Sequence, residues 1–193
     1  MGTKLVLIRH GITEWNQQRR YCGYKDIGLS SRGKAQVVRL RKRFKGFEFD
    51  RIYCSDRKRA LQTKAILFGK GDFVKVKGLR EIDFGVFEGL RHHEIVRKYP
   101  KLYKEWLADP YKARIPEAEP MRIFKKRVHD AIKRIIQANR GKTIAVVCHG
   151  GVIAIFVSSL LKSRNFWRYV PSPASITIIE HRGTFLKPKQ GRF

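Results

Sequence analysis

The chain has 193 residues, of which 42% are hydrophobic and 31% charged, and this size and balance fit one domain, 1–193, with a sizeable core. No apolar run is long enough to cross a membrane, and the first residues do not resemble a secretory signal, so we expect a cytoplasmic protein without a membrane partner. The three cysteines are odd in number and widely spaced, which argues against a disulfide framework.

The charge is unusual, because 43 Lys and Arg residues face 16 Asp and Glu residues and give a net charge of +27. Such an excess suits binding to nucleic acid, attraction of a small anionic substrate, or a solvated surface that is merely rich in cations. The basic residues are spread along the chain, and neither zinc-finger spacing nor an RNA-binding aromatic motif is present. We therefore predict no dedicated nucleic-acid partner.

The first third of the chain alternates between strand and helix patterns. Apolar, β-rich runs predict strands at residues 4–10, 51–55 and 73–77. Helical patterns lie between them, over residues 30–44 and from about residue 57. The first helix carries an apolar face of Val37, Leu40 and Phe44, and the second one of Leu61, Ala65 and Phe68.

The alternation stops between Phe84 and Pro120, where four of the seven prolines collect. Short helical pieces and aromatic residues fill this segment. We predict a small helical insertion at about 86–120 that lies over one edge of the sheet and acts as a lid on the active site.

The alternation then resumes. The pattern predicts a helix over 122–137, whose inward face consists of Phe124, Val128, Ile132, Ile135 and Ile136. It then predicts a strand at 143–149, a buried apolar helix at 150–161 and a strand at 174–181. Residues 186–193 read as a mobile basic tail. The whole pattern predicts an α/β fold, a three-layer α/β/α sandwich with a largely parallel central sheet.

Ligands of such sheets bind outside the carboxyl ends of the strands, so the residues that follow each strand are the candidates for a site. They are Arg9, His10, Gly11, Thr13 and Asn16 after the first strand, Ser55 to Arg59 after the second, Arg80, Glu81 and Asp83 after the third, and His149, Gly150 and Gly151 after the fourth. Arginine forks and helix N-termini suit phosphate, and histidine serves as nucleophile or proton carrier. The constellation predicts phosphoryl chemistry.

Other phosphate and metal chemistries lack their residues. The GxxxxGK[ST] pattern of a P-loop is absent, and a thiol phosphatase needs an arginine six positions after its cysteine, whereas Arg59 follows Cys54 by five. Neither "RHHE" nor "VHD" has metal-ligand spacing, so no metal and no cofactor are predicted. Histidine remains as the phosphate acceptor.

Five segments in order resemble the histidine phosphatase superfamily, which includes the cofactor-dependent phosphoglycerate mutases. They are "LIRHGITEWN", "DIGLSSRGKAQ", "YCSDRKRALQT", "LREIDFGVFEGL" and "VVCHGGVI". The resemblance implies that His10 is the nucleophile, that Arg9, Arg59 and His149 grip the phosphate, and that Glu81 is the acid and base. It also implies that Thr13, Asn16, Cys22, Gly23 and Gly150 line the substrate pocket.

The segment after Glu81, "EIDFGVFEGLRHHE", resembles the phosphatase branch, particularly α-ribazole phosphatases and broad-specificity phosphatases. The resemblance thus implies a metal-independent phosphomonoester hydrolase, acting through phosphohistidine on a small phosphorylated metabolite such as α-ribazole 5'-phosphate. A phosphoglycerate mutase and a basic nucleic-acid-binding protein on a degenerate phosphatase fold are the alternatives. Asp83 and Glu88 are the alternative acids, and both a monomer and a homodimer fit the sequence.

Overall fold

A computed structural model of the protein describes residues 2–182 and 185–189, with side chains described through residue 180. Six strands within these residues form one sheet: β1 (Thr3–Arg9), β2 (Arg51–Cys54), β3 (Val74–Lys75), β4 (Thr143–Cys148), β5 (Ile176–Arg182) and β6 (Phe185–Lys189). Their order across the sheet is β3-β2-β4-β1-β5-β6. The first four in this order are parallel, whereas β5 and β6 run antiparallel to their neighbours. The predicted largely parallel sheet is thus confirmed.

The described residues form seven α-helices: α1 (Glu14–Gln17), α2 (Ser31–Arg41), α3 (Lys58–Phe68), α4 (His92–Lys98), α5 (Pro100–Ala108), α6 (Met121–Gln137) and α7 (Gly150–Leu160). They cover both faces of the sheet, which explains why β1 and β4 are buried at most positions. Leu5 and Leu7 pack in one cluster with residues of α6 and α7, and Val6 and Ile8 pack in another with residues of α2 and α3. These three layers agree with the predicted sandwich.

The buried face of α3 differs from the face that the sequence predicted. Arg59, Ala60, Thr63, Lys64 and Leu67 are buried, whereas Ala65 is exposed and Leu61 and Phe68 are only partly buried. The polar members are accommodated because each has partners: the Thr63 hydroxyl donates to the Arg59 carbonyl at 2.7 Å, and the Lys64 ammonium donates to the Gly69 and Gly71 carbonyls at 3.1 and 2.7 Å. The apolar positions alone therefore pointed to the wrong face. The faces predicted for α2 and α6 are buried as expected.

The predicted insertion holds two short helices, α4 and α5, joined at Tyr99. Tyr103 and Trp106 of α5 are buried, and they belong to the cluster that includes the helices α6 and α7. The apolar side of this segment is therefore continuous with the main core. Its role as a lid stays a prediction.

At the C-terminus, residues 185–189 form the edge strand β6, where the sequence predicted a tail beginning at 186. Pro188 is tolerated because an edge strand needs only one row of backbone hydrogen bonds. The remaining tail, 190–193, lies outside the described residues. Among those that are described, we find no helix with the length and apolarity that a membrane span requires.

Candidate active site

The four parallel strands bring their carboxyl ends to one edge of the sheet. Arg9 is in register with Cys148, and Cys54 is in register with both Val147 and Lys75. The residues that follow these strand ends therefore share one side of the molecule, as the sequence predicted. Five of them, Arg9, His10, Arg59, Glu81 and His149, influence one another electrostatically.

His10 lies just after β1 with 4% of its surface exposed. Its Nδ1 is 2.7 Å from the carbonyl oxygen of Gly11. A carbonyl can only accept, so Nδ1 carries the proton and Nε2 keeps its lone pair. Burial, assisted by the positive charges of Arg59 and Arg9, lowers the pKa of His10 well below its usual range. His10 is therefore a neutral imidazole with a free Nε2, which is the form that attacks phosphorus.

Arg9 is held at the end of β1 by its own backbone and by one side-chain contact. Its N–H donates to the Ser175 carbonyl, and its Nη1 donates to the Pro171 carbonyl. Gly150 makes room for it, because an added Cβ there would come within 2.9 Å of the guanidinium carbon. Arg9 Nε is buried and has no hydrogen-bond partner among the described atoms. A guanidinium with a buried, unpartnered donor favours an anionic ligand.

Arg59 is fully buried near the start of α3. Its Nη1 donates to the Lys25 carbonyl at 2.9 Å, its Nη2 to the Gly23 carbonyl at 2.7 Å, and its Nε to Nδ1 of His149 at 3.2 Å. These three bonds fix the plane of the guanidinium. Two of its five N–H donors remain for a ligand.

His149 follows β4 directly and is fully buried. Because the Arg59 guanidinium cannot accept a hydrogen bond, Nδ1 of His149 must be the acceptor of their contact, and the ring proton then lies on Nε2. That Nε2 is 2.8 Å from the Ser55 hydroxyl. Both nitrogens thus have partners within the protein. In this state His149 orients Arg59, and it would have to change partners to donate to a phosphate.

Glu81 lies after the third strand with 7% of its surface exposed. Its carboxylate accepts from the backbone N–H of Ile82 at 3.0 Å and of Gly151 at 2.9 Å. Burial raises the pKa of Glu81, although the two amides and the charges of Arg59 and Arg9 act in the opposite direction. The raised pKa favours a protonated carboxyl, which is the form that a general acid needs.

Asp83 and Glu88, the alternative acids, carry structural hydrogen bonds. Asp83 accepts from the Gly85 N–H at 2.9 Å. One oxygen of Glu88 accepts from the N–H groups of Gly23, Tyr24 and Phe84 at 2.8 to 3.2 Å. Glu88 therefore ties two loops together, and the environment favours Glu81 as the acid.

Thr13 and Asn16 form a capping box at the start of α1. Asn16 N–H donates to the Thr13 hydroxyl, and Thr13 N–H donates to the Asn16 side-chain oxygen, both at 3.1 Å. This cap uses the Asn16 oxygen and leaves its NH₂ group for other contacts. Both residues follow the strand end that carries His10, but their role in binding stays a prediction.

Cys22 and Gly23 lie at the start of the loop that holds Arg59. An added Cβ at Gly23 would lie 1.9 Å from the Ile82 carbonyl oxygen, so a side chain cannot fit there. Cys22 is partly buried, and burial raises the pKa of its thiol to about 11. Its thiolate is therefore rare at neutral pH, and we expect slower alkylation than a free cysteine would show.

Several residues at the site were not assigned a role from the sequence. Ser55 contacts His149, Gly151 binds Glu81, and Arg127 donates to the Glu81 carbonyl at 2.9 Å. Ser55 and Gly151 lie in the segments that carry the resemblance, which is the signal that could have found them. Arg127 lies in "FKKRV" (124–128), a segment that also resembles the phosphatase branch, and that resemblance is the signal that could have found it.

The arrangement combines a buried imidazole with a lowered pKa, a fully buried and a partly buried arginine, and a carboxyl group with a raised pKa. These are the parts that phosphoryl transfer through a covalent intermediate requires. Within residues 2–182 and 185–189, no three or more His, Cys, Asp and Glu side chains are grouped so as to hold a metal ion.

Comparison with known proteins shows the family and the fold of the chain. A sequence profile described as the histidine phosphatase superfamily (branch 1) matches residues 5–188. Phosphoserine phosphatase 1 from Hydrogenobacter thermophilus is 31% identical over 95% of this chain and 90% of its own length. A 2,3-bisphosphoglycerate-dependent phosphoglycerate mutase from Bartonella quintana is 31% identical, over 83% and 82%. The crystal structure of the α-ribazole phosphatase from Shigella flexneri superposes with a TM-score of 0.86 at 25% identity, over 96% and 94%.

Proposed function

This chain belongs to the histidine phosphatase superfamily, and we propose that it is a phosphatase that hydrolyses a small phosphomonoester without a metal ion, with His10 as its nucleophile. The observation that carries the assignment of the nucleophile is the hydrogen bond from His10 Nδ1 to the Gly11 carbonyl. It leaves Nε2 unprotonated, in a site where Arg9 and Arg59 favour an incoming anion.

In the first step, Nε2 of His10 attacks phosphorus, and the bond from phosphorus to the ester oxygen breaks. Arg9 and Arg59 neutralise the charge that spreads over the three remaining phosphoryl oxygens. The Glu81 carboxyl gives its proton to the departing oxygen, so that an alcohol leaves. The Gly11 carbonyl accepts from Nδ1–H throughout and stabilises the positive charge that the ring gains.

In the second step, the Glu81 carboxylate takes a proton from water. The resulting hydroxide attacks phosphorus, the bond to Nε2 breaks, and inorganic phosphate forms. Glu81 is then protonated and His10 is neutral again, so the cycle closes. One carboxyl group therefore serves as acid and then as base.

The test of this proposal is hydrolysis in EDTA combined with trapping of the intermediate. We expect turnover of p-nitrophenyl phosphate and an acid-labile phosphoenzyme in the native protein. His10→Ala should lose both, whereas His93→Ala, which removes an exposed histidine, should lose neither. Labelling retained in His10→Ala would move the nucleophile elsewhere, and a strict metal requirement would contradict the mechanism.

The substrate is proposed as a small phosphorylated metabolite, because the relatives include a phosphoserine phosphatase and an α-ribazole phosphatase. A panel of phosphoserine, α-ribazole 5'-phosphate, sugar phosphates and nucleotides, scored by release of phosphate, would rank the candidates. The ester with the highest kcat/KM identifies the leaving group that the insertion accepts.

A phosphoglycerate mutase is the second candidate, and the Bartonella quintana relative is the observation that favours it. A mutase must keep water away from phosphohistidine and return the phosphoryl group to another hydroxyl. Incubation with 3-phosphoglycerate, followed by phosphorus NMR, separates the two functions. Inorganic phosphate supports the hydrolase, and 2-phosphoglycerate supports the mutase.

A further inference from the structure

The guanidinium of Arg127, on α6, uses all five of its N–H donors within the protein. Its Nη1 donates to the carbonyl oxygens of Gly78 and Arg80 at 3.1 and 2.7 Å. Its Nη2 donates to the Glu81 carbonyl at 2.9 Å and to one oxygen of Glu119 at 2.7 Å. Its Nε donates to the other oxygen of Glu119 at 2.6 Å.

Three of these five bonds hold the backbone that leads into the proposed acid. Carbonyls 78, 80 and 81 all point at one planar fork, so this segment cannot shift without losing charge-assisted hydrogen bonds. Close packing supports the same restraint, because an added Cβ at Gly78 would lie 2.8 Å from the Ala131 Cβ on α6. The segment from Gly78 to Glu81 is thus tightly held against α6.

The other two bonds reach the end of the predicted insertion. Glu119 lies just before α6, and its N–H donates to the Asp83 carbonyl at 3.0 Å. Its side chain and that of Arg127 are only 13% and 21% exposed, so their pairing is shielded from salt and water. Both charges are compensated, which makes the pair compatible with partial burial.

We propose that Arg127, clamped by Glu119, is the positioning residue of the acid: it fixes the backbone of Glu81 so that the carboxyl meets the departing oxygen. Arg127 bonds the Glu81 carbonyl and not the carboxylate, so it acts through the main chain. Since Glu119 belongs to the connection after α5, its bonds to Arg127 link the end of the insertion to the placement of the acid. This inference rests on the proposed function, in which Arg127 would support the acid.

The test compares two esters that form the same phosphohistidine. An aryl ester such as p-nitrophenyl phosphate has a good leaving group and needs little acid catalysis, whereas an alkyl ester such as phosphoserine releases a basic alkoxide. Because kcat/KM covers the steps up to the first departure, it isolates the action of the acid. We expect Arg127→Met to lower kcat/KM about 100-fold for the alkyl ester, and only a few-fold for the aryl ester.

Two more variants keep the test decisive if Arg127→Met folds poorly. Arg127→Lys retains the charge and one or two of the bonds, and Glu119→Gln retains all three carbonyl bonds. Both should also lower kcat/KM more for the alkyl ester than for the aryl ester, but by less than Arg127→Met does. Lys126→Met, which breaks an exposed ion pair with Asp130 on the same helix, is the matched control and should change neither ester.

The outcomes separate this inference from the proposed function. A selective loss with the alkyl ester, with phosphohistidine still formed from the aryl ester, supports the positioning role. Equal losses with both esters, or no loss in any variant, would overturn it and leave the hydrolase standing. A native protein that forms no phosphohistidine would instead overturn the proposed function.

Discussion

His10 and Glu81 owe their opposite protonation preferences to one physical cause. Burial disfavours the charged form of each, so it lowers the pKa of the histidine and raises that of the carboxyl group. Arg9 and Arg59 add to the effect on His10 and reduce it for Glu81. Both shifts therefore favour the neutral forms, which are the forms that the proposed nucleophile and the proposed acid require.

This pair of shifts predicts the pH dependence of kcat/KM for an alkyl ester. Activity should persist to well below pH 6.5 on the acid side, where an ordinary histidine would be protonated. On the basic side, it should fall as Glu81 loses its proton, above the usual pKa of a glutamate. Glu81→Gln should lower kcat/KM by about 100-fold or more. Its kcat/KM should also no longer fall at high pH, so the basic limb of the pH profile should be missing.

Asp83→Asn is the matched control, because it replaces the neighbouring carboxylate that caps Gly85. It should keep the basic limb and most of the rate. If Asp83→Asn lost the limb and Glu81→Gln kept it, Asp83 would be the acid. A limb that survives in both variants reports another group, such as the second ionisation of the substrate phosphate at about pH 6.

At the scale of elements, the two glycines at the N-terminus of α7 make room for Arg9 and Glu81, and one of them also donates a hydrogen bond to Glu81. Gly150 admits the Arg9 guanidinium, and the N–H of Gly151 donates to Glu81. An added Cβ at Gly151 would lie 2.3 Å from a carboxylate oxygen of Glu81. The helix therefore begins with residues that lack side chains because an arginine and a carboxyl group occupy that space.

Gly151→Ala is expected to push the carboxyl group of Glu81 aside while the helix itself gains propensity. Replacing a helical glycine with alanine usually stabilises by about 0.5–1 kcal/mol. The variant should therefore remain folded, yet lose about 100-fold in kcat/KM for an alkyl ester. Activity assays and thermal melts on the same preparation measure both quantities.

Gly71→Ala provides the control, since an added Cβ there would come no closer than 4.0 Å to any described atom. It should leave both the rate and the melting temperature nearly unchanged. Native activity in Gly151→Ala would mean that Glu81 has room to move, and that its contact with the helix is dispensable.

The sequence predicted the elements that bury an apolar stripe and missed what depends on polar contacts. Strand 143–149 and helix 122–137 were placed within a residue because their apolar patterns leave no alternative. The face of α3 was wrong, since Thr63 and Lys64 are buried by hydrogen bonds that no periodicity reveals. Strand β6 was read as a tail because its basic residues and Pro188 conceal a β pattern.

The site followed the same rule. Arg9, His10, Glu81 and His149 could be predicted because they follow strands whose ends must meet at one edge. The hydrogen bonds that set their tautomers and orientations could not be predicted from periodicity, since Ser55 and Arg127 make contacts between distant segments. Strand ends identify which residues meet, and hydrogen bonds decide what each of them can do.

For the whole molecule, the net charge of +27 sets a field that any phosphate ester must cross. Such a field raises the rate at which an anion arrives, and salt screens it over a Debye length of about 30 Å at 0.01 M and about 10 Å at 0.1 M. In the proposed mechanism, Arg9 and Arg59 bind the anion once it has arrived. Long-range attraction and local binding should therefore respond differently to salt.

We expect kcat/KM for a dianionic ester to fall roughly tenfold between 0.01 and 0.5 M sodium chloride, while kcat changes little. Chloride is preferred to sulfate, which would compete directly for Arg9 and Arg59. The field near the site should dominate, so Lys58→Gln, beside Arg59, should flatten the salt dependence. Lys42→Gln, which follows the far end of α2, should leave the slope as it is. Equal slopes in the native protein and both variants would show that Lys58 does not dominate the field near the site. A kcat/KM that stays constant with salt in the native protein would show that the excess charge does not steer the substrate.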